Sequence, residues 1–113
     1  MDKSSALQVC TALGQSTRMD VVQALVRAGH EGLPAGDLSS RLDISHNLMS
    51  SHLKRLTEAG LVSSDRQGRN IIYRVRFDTL RGLLQFLMKD CCQGHPDIVG
   101  TLNLNPQTQE CAS

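Results

Sequence analysis

Between Leu42 and Arg76 the chain reads LDISHNLMSSHLKRLTEAGLVSSDRQGRNIIYRVR, and no other stretch restricts the fold as strongly. Placed on an α-helix, Leu48, Met49, Leu53, Leu56 and Ala59 fall toward one side, while Asn47, Ser50, Ser51, Lys54, Arg55 and Glu58 occupy the other. Asp43-Ile44-Ser45 forms a turn before this helix, with Ser45 suited to its N-cap, and Gly60 supplies a left-handed stop. Leu61-Val62 and Ile71 to Val75 then alternate as two strands around Asp65-Arg66-Gln67-Gly68-Arg69-Asn70, whose glycine suits a tight turn. The outer face of the helix is short, polar and hydrogen-bond-capable with two cations, as a major groove requires. A helix of this kind followed by a basic β-hairpin is the layout of a winged helix-turn-helix.

The flanking segments fit that layout. Residues 4–13 carry helical spacing at Leu7, Cys10 (with Val9 beside it) and Leu13. A second helix is expected to open at Ser16 or Thr17, with Asp20 completing an approximate capping box, an apolar stripe of Val22, Leu25 and Val26, and Gly29 at its end. His30 to Leu33 reads as a loop, and Pro34 to Leu42 as a short third helix. A final helix starts at Asp78 or Thr79 and places Leu80, Leu83, Leu84, Leu87 and Cys91 on one face. That face is longer than one small core needs, which makes the first and last helices candidates for a dimer interface. The expected fold is mainly α with a β-hairpin wing, occupying residues 1–92. From Gln93 the chain turns polar, with Gly94, Pro96, Gly100 and Pro106, and residues 93–113 read as a flexible tail.

Charge separates along the chain. Residues 41–76 hold seven Lys/Arg against three Asp/Glu, and the remainder five against eight, although the whole carries only +1. A basic segment that coincides with the helix and hairpin is the electrostatic footprint of phosphate contact. The first residues contain no apolar signal-peptide core and no apolar run approaches a membrane span of ~20 residues, so a cytoplasmic protein is expected. In that compartment four cysteines point to reduced, metal-binding or redox-active thiols rather than a disulfide framework.

On these residues the chain resembles the arsenic-repressor (ArsR/SmtB) family of dimeric sensors. The resemblance is carried by Leu13-Gly14 through Arg18, by Ser50-Ser51-His52-Leu53-Lys54-Arg55-Leu56, by Glu58-Ala59-Gly60-Leu61-Val62, and by Gly68-Arg69 with Tyr73-Arg74. It implies a homodimer built on the first and last helices that represses transcription from a partly palindromic double-stranded operator. Two recognition helices would enter major grooves about one turn, roughly 34–36 Å, apart. It also implies Asn47, Ser50, Ser51 and Lys54 as groove contacts, and Arg55, Arg66 and Arg69 as contacts to phosphate or the minor groove. His52 matches the family's Ser-x-His-Leu motif and is implied as part of the reading head, but it falls nearer the apolar arc, between Leu48 and Leu56, which favours packing or a hydrogen bond within the protein.

Cys91-Cys92 is the chemically loaded dipeptide, because adjacent thiols in a reducing compartment suit a soft, thiophilic ion. The alternative is two small residues packed at a dimer interface. The family's Cys-x-Cys site in the third helix is absent, since Leu33-Pro34-Ala35-Gly36-Asp37-Leu38 has no thiol, and the last helix has no His before His95. What remains resembles a subgroup in which Cys-Cys is followed by Gly-x-Pro and a further Cys; here Gly94-His95-Pro96 is present, but Val99 stands where the third thiol is expected. Trivalent arsenic or antimony prefers three thiolates. Cys111 is 19 residues from Cys92, ample reach at ~3.3 Å per residue, and is the first candidate third ligand. A two-thiol site for a methylated trivalent arsenical, and Cys10 of the partner, are the others. His95 beside the pair would instead favour zinc or cadmium. No cofactor is expected to be needed for folding.

The resemblance therefore implies a repressor released by As(III), Sb(III) or methylarsenite, with Cys91, Cys92 and Cys111 as its ligands. A thiol-based redox or persulfide-responsive repressor of the same fold is the alternative. An enzyme is not expected: there is no Cys-x-x-Cys, no βαβ pattern and no constellation around a nucleophile.

Overall fold

The computed structural model describes residues 1–88. The expected thiol ligands Cys91, Cys92 and Cys111, with His95, Val99 and the expected tail 93–113, lie outside the described residues. Five helices and a three-stranded sheet run in the order α1 (Lys3–Leu13), α2 (Ser16–Ala28), a 3-10 turn (Gly29–Glu31), β1 (Leu33–Pro34), α3 (Ala35–Leu42), α4 (His46–Glu58), β2 (Val62–Gln67), β3 (Asn70–Val75) and α5 (Phe77–Met88).

The core is aliphatic. Val21, Leu25, Leu38, Met49, Leu53, Leu56, Leu61 and Val62 are fully enclosed where α2, α3 and α4 meet the base of the hairpin. A side chain of this size contributes ~1.5–3 kcal/mol on complete burial. Helix α1 corrects the expected stripe: Ala6, Val9 and Ala12 face inward, and Leu7 and Cys10 are exposed. The contacts of α1 with α2 and α4 select that arc, and a close-packed core admits residues by size as well as by hydrophobicity. On α2 the inward residues are Val21, Val22, Ala24 and Leu25, whereas Val26 is exposed. The helix opens at Ser16 as expected, but its N-cap is Gln15, whose Oε1 accepts from the Arg18 N–H at 2.8 Å, in place of the capping box with Asp20.

Strand β1 is absent from the sequence-based expectation. Leu33 pairs with Tyr73 and Pro34 with Ile72, giving the antiparallel order β1-β3-β2. Two residues are too few to show alternation, and Pro34 is tolerated because an edge strand needs no second set of donors. It also shortens the third helix, which starts at Ala35 rather than Pro34. The hairpin is longer than expected. Asp65 to Gln67 and Asn70 belong to the paired strands, and only Gly68 and Arg69 form the turn between Gln67 and Asn70. Gly68 has φ +63, which places a left-handed glycine first in a two-residue turn and matches the right-handed twist of the strands.

Helix α4 begins and ends on chemistry legible in its residues. Ser45 Oγ accepts from the Leu48 N–H at 3.2 Å. At the other end Gly60 has φ +82, its N–H donates to Thr57 O at 3.0 Å, and the Leu61 N–H donates to Leu56 O at 3.0 Å. This is a Schellman stop, with Leu56 and Leu61 on either side of it both buried in the core. The last helix starts at Phe77, earlier than Asp78 or Thr79. Thr79 Oγ1 instead donates to the Gly60 carbonyl at 2.7 Å, tying α5 to the end of α4. Of its leucines only Leu83 is buried; Leu84 and Leu87 stay exposed.

Candidate nucleic-acid interface

Helices α3 and α4, joined by Asp43-Ile44-Ser45, form the helix-turn-helix. Asp43 takes a left-handed φ of 54, and the Ile44 N–H donates to Ser39 O at 3.0 Å. Asp tolerates this conformation better than most non-glycine residues, so the turn closes without glycine. It sets α4 with Met49, Leu53 and Leu56 against the core and the opposite face open. Asn47, Ser50, Ser51, Lys54 and Arg55 are all exposed on α4. A helix of this length spans ~20 Å, enough to lie in a major groove about 12 Å wide. Asn47, Ser50 and Ser51 sit in its N-terminal half, the part of a recognition helix that contacts base edges. Arg55 lies farther along and borders an open groove of about 480 Å³ shared with Leu7, Thr11, Arg18 and Glu58.

The wing supplies the flanking charge. Arg66 on β2 and Arg69 at the tip are exposed, and neither takes part in an ion pair with another described residue. The other two arginines of this region are occupied within the protein. Arg74 donates through Nε to the His30 carbonyl at 2.8 Å and faces Asp65 at 3.5 Å across the hairpin. Arg76 faces Asp78 at 3.4 Å. Half-exposed pairs like these add at most about 1 kcal/mol each, but the Arg74 bond to His30 fixes the hairpin against the turn after α2.

His52 is the candidate contact that the structure places least outward. It is half-buried, and its Nδ1 lies 3.5 Å from Arg18 Nη1. Its pKa is held below the ordinary 6.5, first by burial and then by the positive charges of Arg18 and Arg55. Two participants escaped sequence reasoning. One is Arg18, more than thirty positions away in the chain, which no periodicity could connect to His52. The other is Leu48, assigned to the apolar side but 56% exposed; it stands beside Asn47 and Ser51, where an apolar side chain suits a thymine methyl group. Among the described residues no three of His, Cys, Asp and Glu gather where they could hold a metal ion, and no helix is long and apolar enough to cross a membrane.

A Ser45-capped helix with a polar open face, set by a short turn and followed by a basic hairpin, defines a winged helix-turn-helix DNA-binding protein. Residues 13–65 match the helix-turn-helix domain family. An ArsR-like transcriptional regulator from Rhodococcus sp. RHA1 is 30% identical, with 76% of this chain covering 78% of that one at a TM-score of 0.68. The chain accordingly belongs to the ArsR family of transcriptional regulators, which act by binding DNA and are not enzymes. The transcriptional activator HlyU of Vibrio cholerae is 28% identical over 97 residues, 84% of this chain and 87% of that protein. A candidate arsenical resistance operon repressor of Halobacterium salinarum is 38% identical over 74 residues, 66% of this chain but 54% of that protein.

Proposed function

We propose that this chain is a homodimeric transcriptional repressor that leaves its double-stranded operator when trivalent arsenic or antimony binds its cysteine thiolates. The observation that carries the DNA half is the open polar face of α4 together with the exposed cations Arg66 and Arg69 on the wing. Asn47, Ser50, Ser51, His52 and Lys54 act in the groove, and Arg55, Arg66 and Arg69 hold the backbone. Leu7 of α1 and Leu84 and Leu87 of α5 are exposed, and an apolar face on these two helices supports pairing through them in a two-fold dimer.

The metalloid half rests on Cys91-Cys92, which follows α5 by three residues in the sequence, and is supported by the similarity to an arsenical resistance repressor. Cys111 serves as the third thiolate for As(III) or Sb(III), while methylarsenite needs only the pair. Because the thiols follow a helix of the proposed dimer interface, ligand binding favours one arrangement of the two reading heads over another. A tenfold loss of operator affinity requires only about 1.4 kcal/mol of such preference. A redox- or persulfide-responsive repressor is the second reading, favoured by the free, exposed Cys10 thiol.

Fluorescence anisotropy of a labelled operator tests both. Reduced protein titrated with arsenite, methylarsenite and zinc is compared with Cys111→Ser. Release by arsenite that is lost in Cys111→Ser supports three thiolates; release by methylarsenite that survives it supports Cys91 and Cys92 alone. Release by diamide or polysulfide, with no effect of metalloids, establishes the redox reading instead.

A further inference from the structure

Arg18 links three helices. Its backbone N–H is held by Gln15 Oε1 at 2.8 Å, and its Nε donates to the Ala12 carbonyl at 2.6 Å. With its backbone N–H and its Nε both held at the α1–α2 junction, Nη1 reaches 3.5 Å from Nδ1 of His52 on α4. A guanidinium has five donors, no acceptor, and stays charged in proteins. A hydrogen bond between the two groups therefore requires a lone pair on Nδ1. That leaves the imidazole neutral with its proton on Nε2, the nitrogen on the other edge of the ring. The charged groups facing the ring are Arg18 from α2 and Arg55 from α4 itself, both cations, and α1 contributes only the Ala12 carbonyl that anchors Arg18. None of these neighbours favours a second proton on the ring.

We propose that Arg18 is a positioning residue for DNA recognition, fixing His52 as the Nε2–H tautomer so that α4 presents a hydrogen-bond donor there to acceptor atoms of the operator. Arg18 itself touches no DNA in this arrangement; it selects which edge of the imidazole carries the proton. The proposal rests on the reading of α4 as the recognition helix with His52 among its contacts. Lysine cannot replace Arg18, because it keeps the charge but lacks the fork that reaches Ala12 O and His52 Nδ1 together. The chemistry recognised at Nε2–H is an acceptor, whether a phosphate oxygen or a guanine edge.

Long-range nitrogen–proton correlation of the imidazoles in the full-length, DNA-free protein at pH 8 reads the tautomer directly. His52 should show an unprotonated Nδ1 and a protonated Nε2, and Arg18→Lys should move it toward a mixture while circular dichroism stays native. An Nδ1–H ring in the parent protein, or a tautomer unchanged in a folded Arg18→Lys, overturns the proposal. If Arg18→Lys does not fold, the parent spectrum decides: a ring held as the single Nε2–H tautomer supports the contact, and an Nδ1–H ring or an even mixture of tautomers overturns it. Operator anisotropy separates the DNA role. His52→Gln, whose amide nitrogen can take the place of Nε2, should bind within about threefold of the parent. His52→Asn, which mimics only the Nδ1 edge, should bind about tenfold more weakly, ~1.4 kcal/mol. Equal binding by both variants removes His52 from the operator contacts and overturns the proposal, even with the tautomer as expected; weak binding by α4 variants Ser50→Ala and Lys54→Ala would then show that the recognition-helix reading itself still stands.

Discussion

Gly32 has φ +70, and a Cβ there would stand 2.5 Å from the Tyr73 carbonyl oxygen and 2.7 Å from Arg74 Cγ. The turn before β1 passes so close to β3 that only a missing side chain permits the pairing. Gly32→Ala is expected to cost more than about 2 kcal/mol, since it adds both backbone strain and overlap with main chain that cannot move aside; urea denaturation measures it. His52 links protonation to stability. Its pKa is lowered in the folded state, so as pH falls through 6.5 the unfolded chain takes up a proton before the native one. The protein should therefore lose stability as pH falls below 6.5, and His52→Gln should reduce that loss in thermal melts at pH 5.5 and 7.5. Ser39 makes the opposite point. It is 5% exposed with its hydroxyl unpartnered among the described residues, so Ser39→Ala should stabilise by about 1 kcal/mol.

Helix α4 is the element whose limits were most legible, because each end is written in side-chain chemistry rather than in packing. Ser45 satisfies one orphan N–H, and Gly60 with Leu56 and Leu61 closes the other end. Removal of the cap by Ser45→Ala should cost about 1 kcal/mol, seen as a lower denaturant midpoint. Operator affinity should fall as well, because the turn that frays carries Asn47. Helix α1 was legible only in part: Val9 and Leu13 of its expected stripe pack on the core, but Leu7 is 57% exposed while Ala6 and Ala12 turn inward. Hydrophobicity ranks residues by preference for leaving water, whereas the space between close helices decides which size is admitted. Strand β1 was invisible because it exists only through its partner, β3.

At the scale of the molecule, the exposed Leu7, Leu84 and Leu87 leave an apolar surface on the two terminal helices of the described chain. Leu87→Glu should leave the monomer fold intact, shift the protein from dimer to monomer in analytical ultracentrifugation, and weaken operator binding. Each recognition helix alone reads only half of a two-fold site. In the proposed complex the wing has a different part: its contacts go to phosphate, which sets strength rather than sequence choice. Arg69→Ala should weaken binding to all sequences alike and lower the salt slope of the affinity by about 1.

The five helices in order, the recognition helix with its cap and stop, and the wing were determined by residue pattern, and the seven exposed candidate contacts from Asn47 to Arg69 by the family resemblance laid over it. Each depends on interactions within a few positions, and local spacing records those. Tertiary structure decided the rest. It gave Arg74 to His30 and Asp65 while leaving Arg66 and Arg69 exposed, turned Leu48 outward, and brought Arg18 to His52. Those outcomes depend on which side chains meet across helices and strands, and one-dimensional spacing carries no record of a contact between residues 34 apart in the chain.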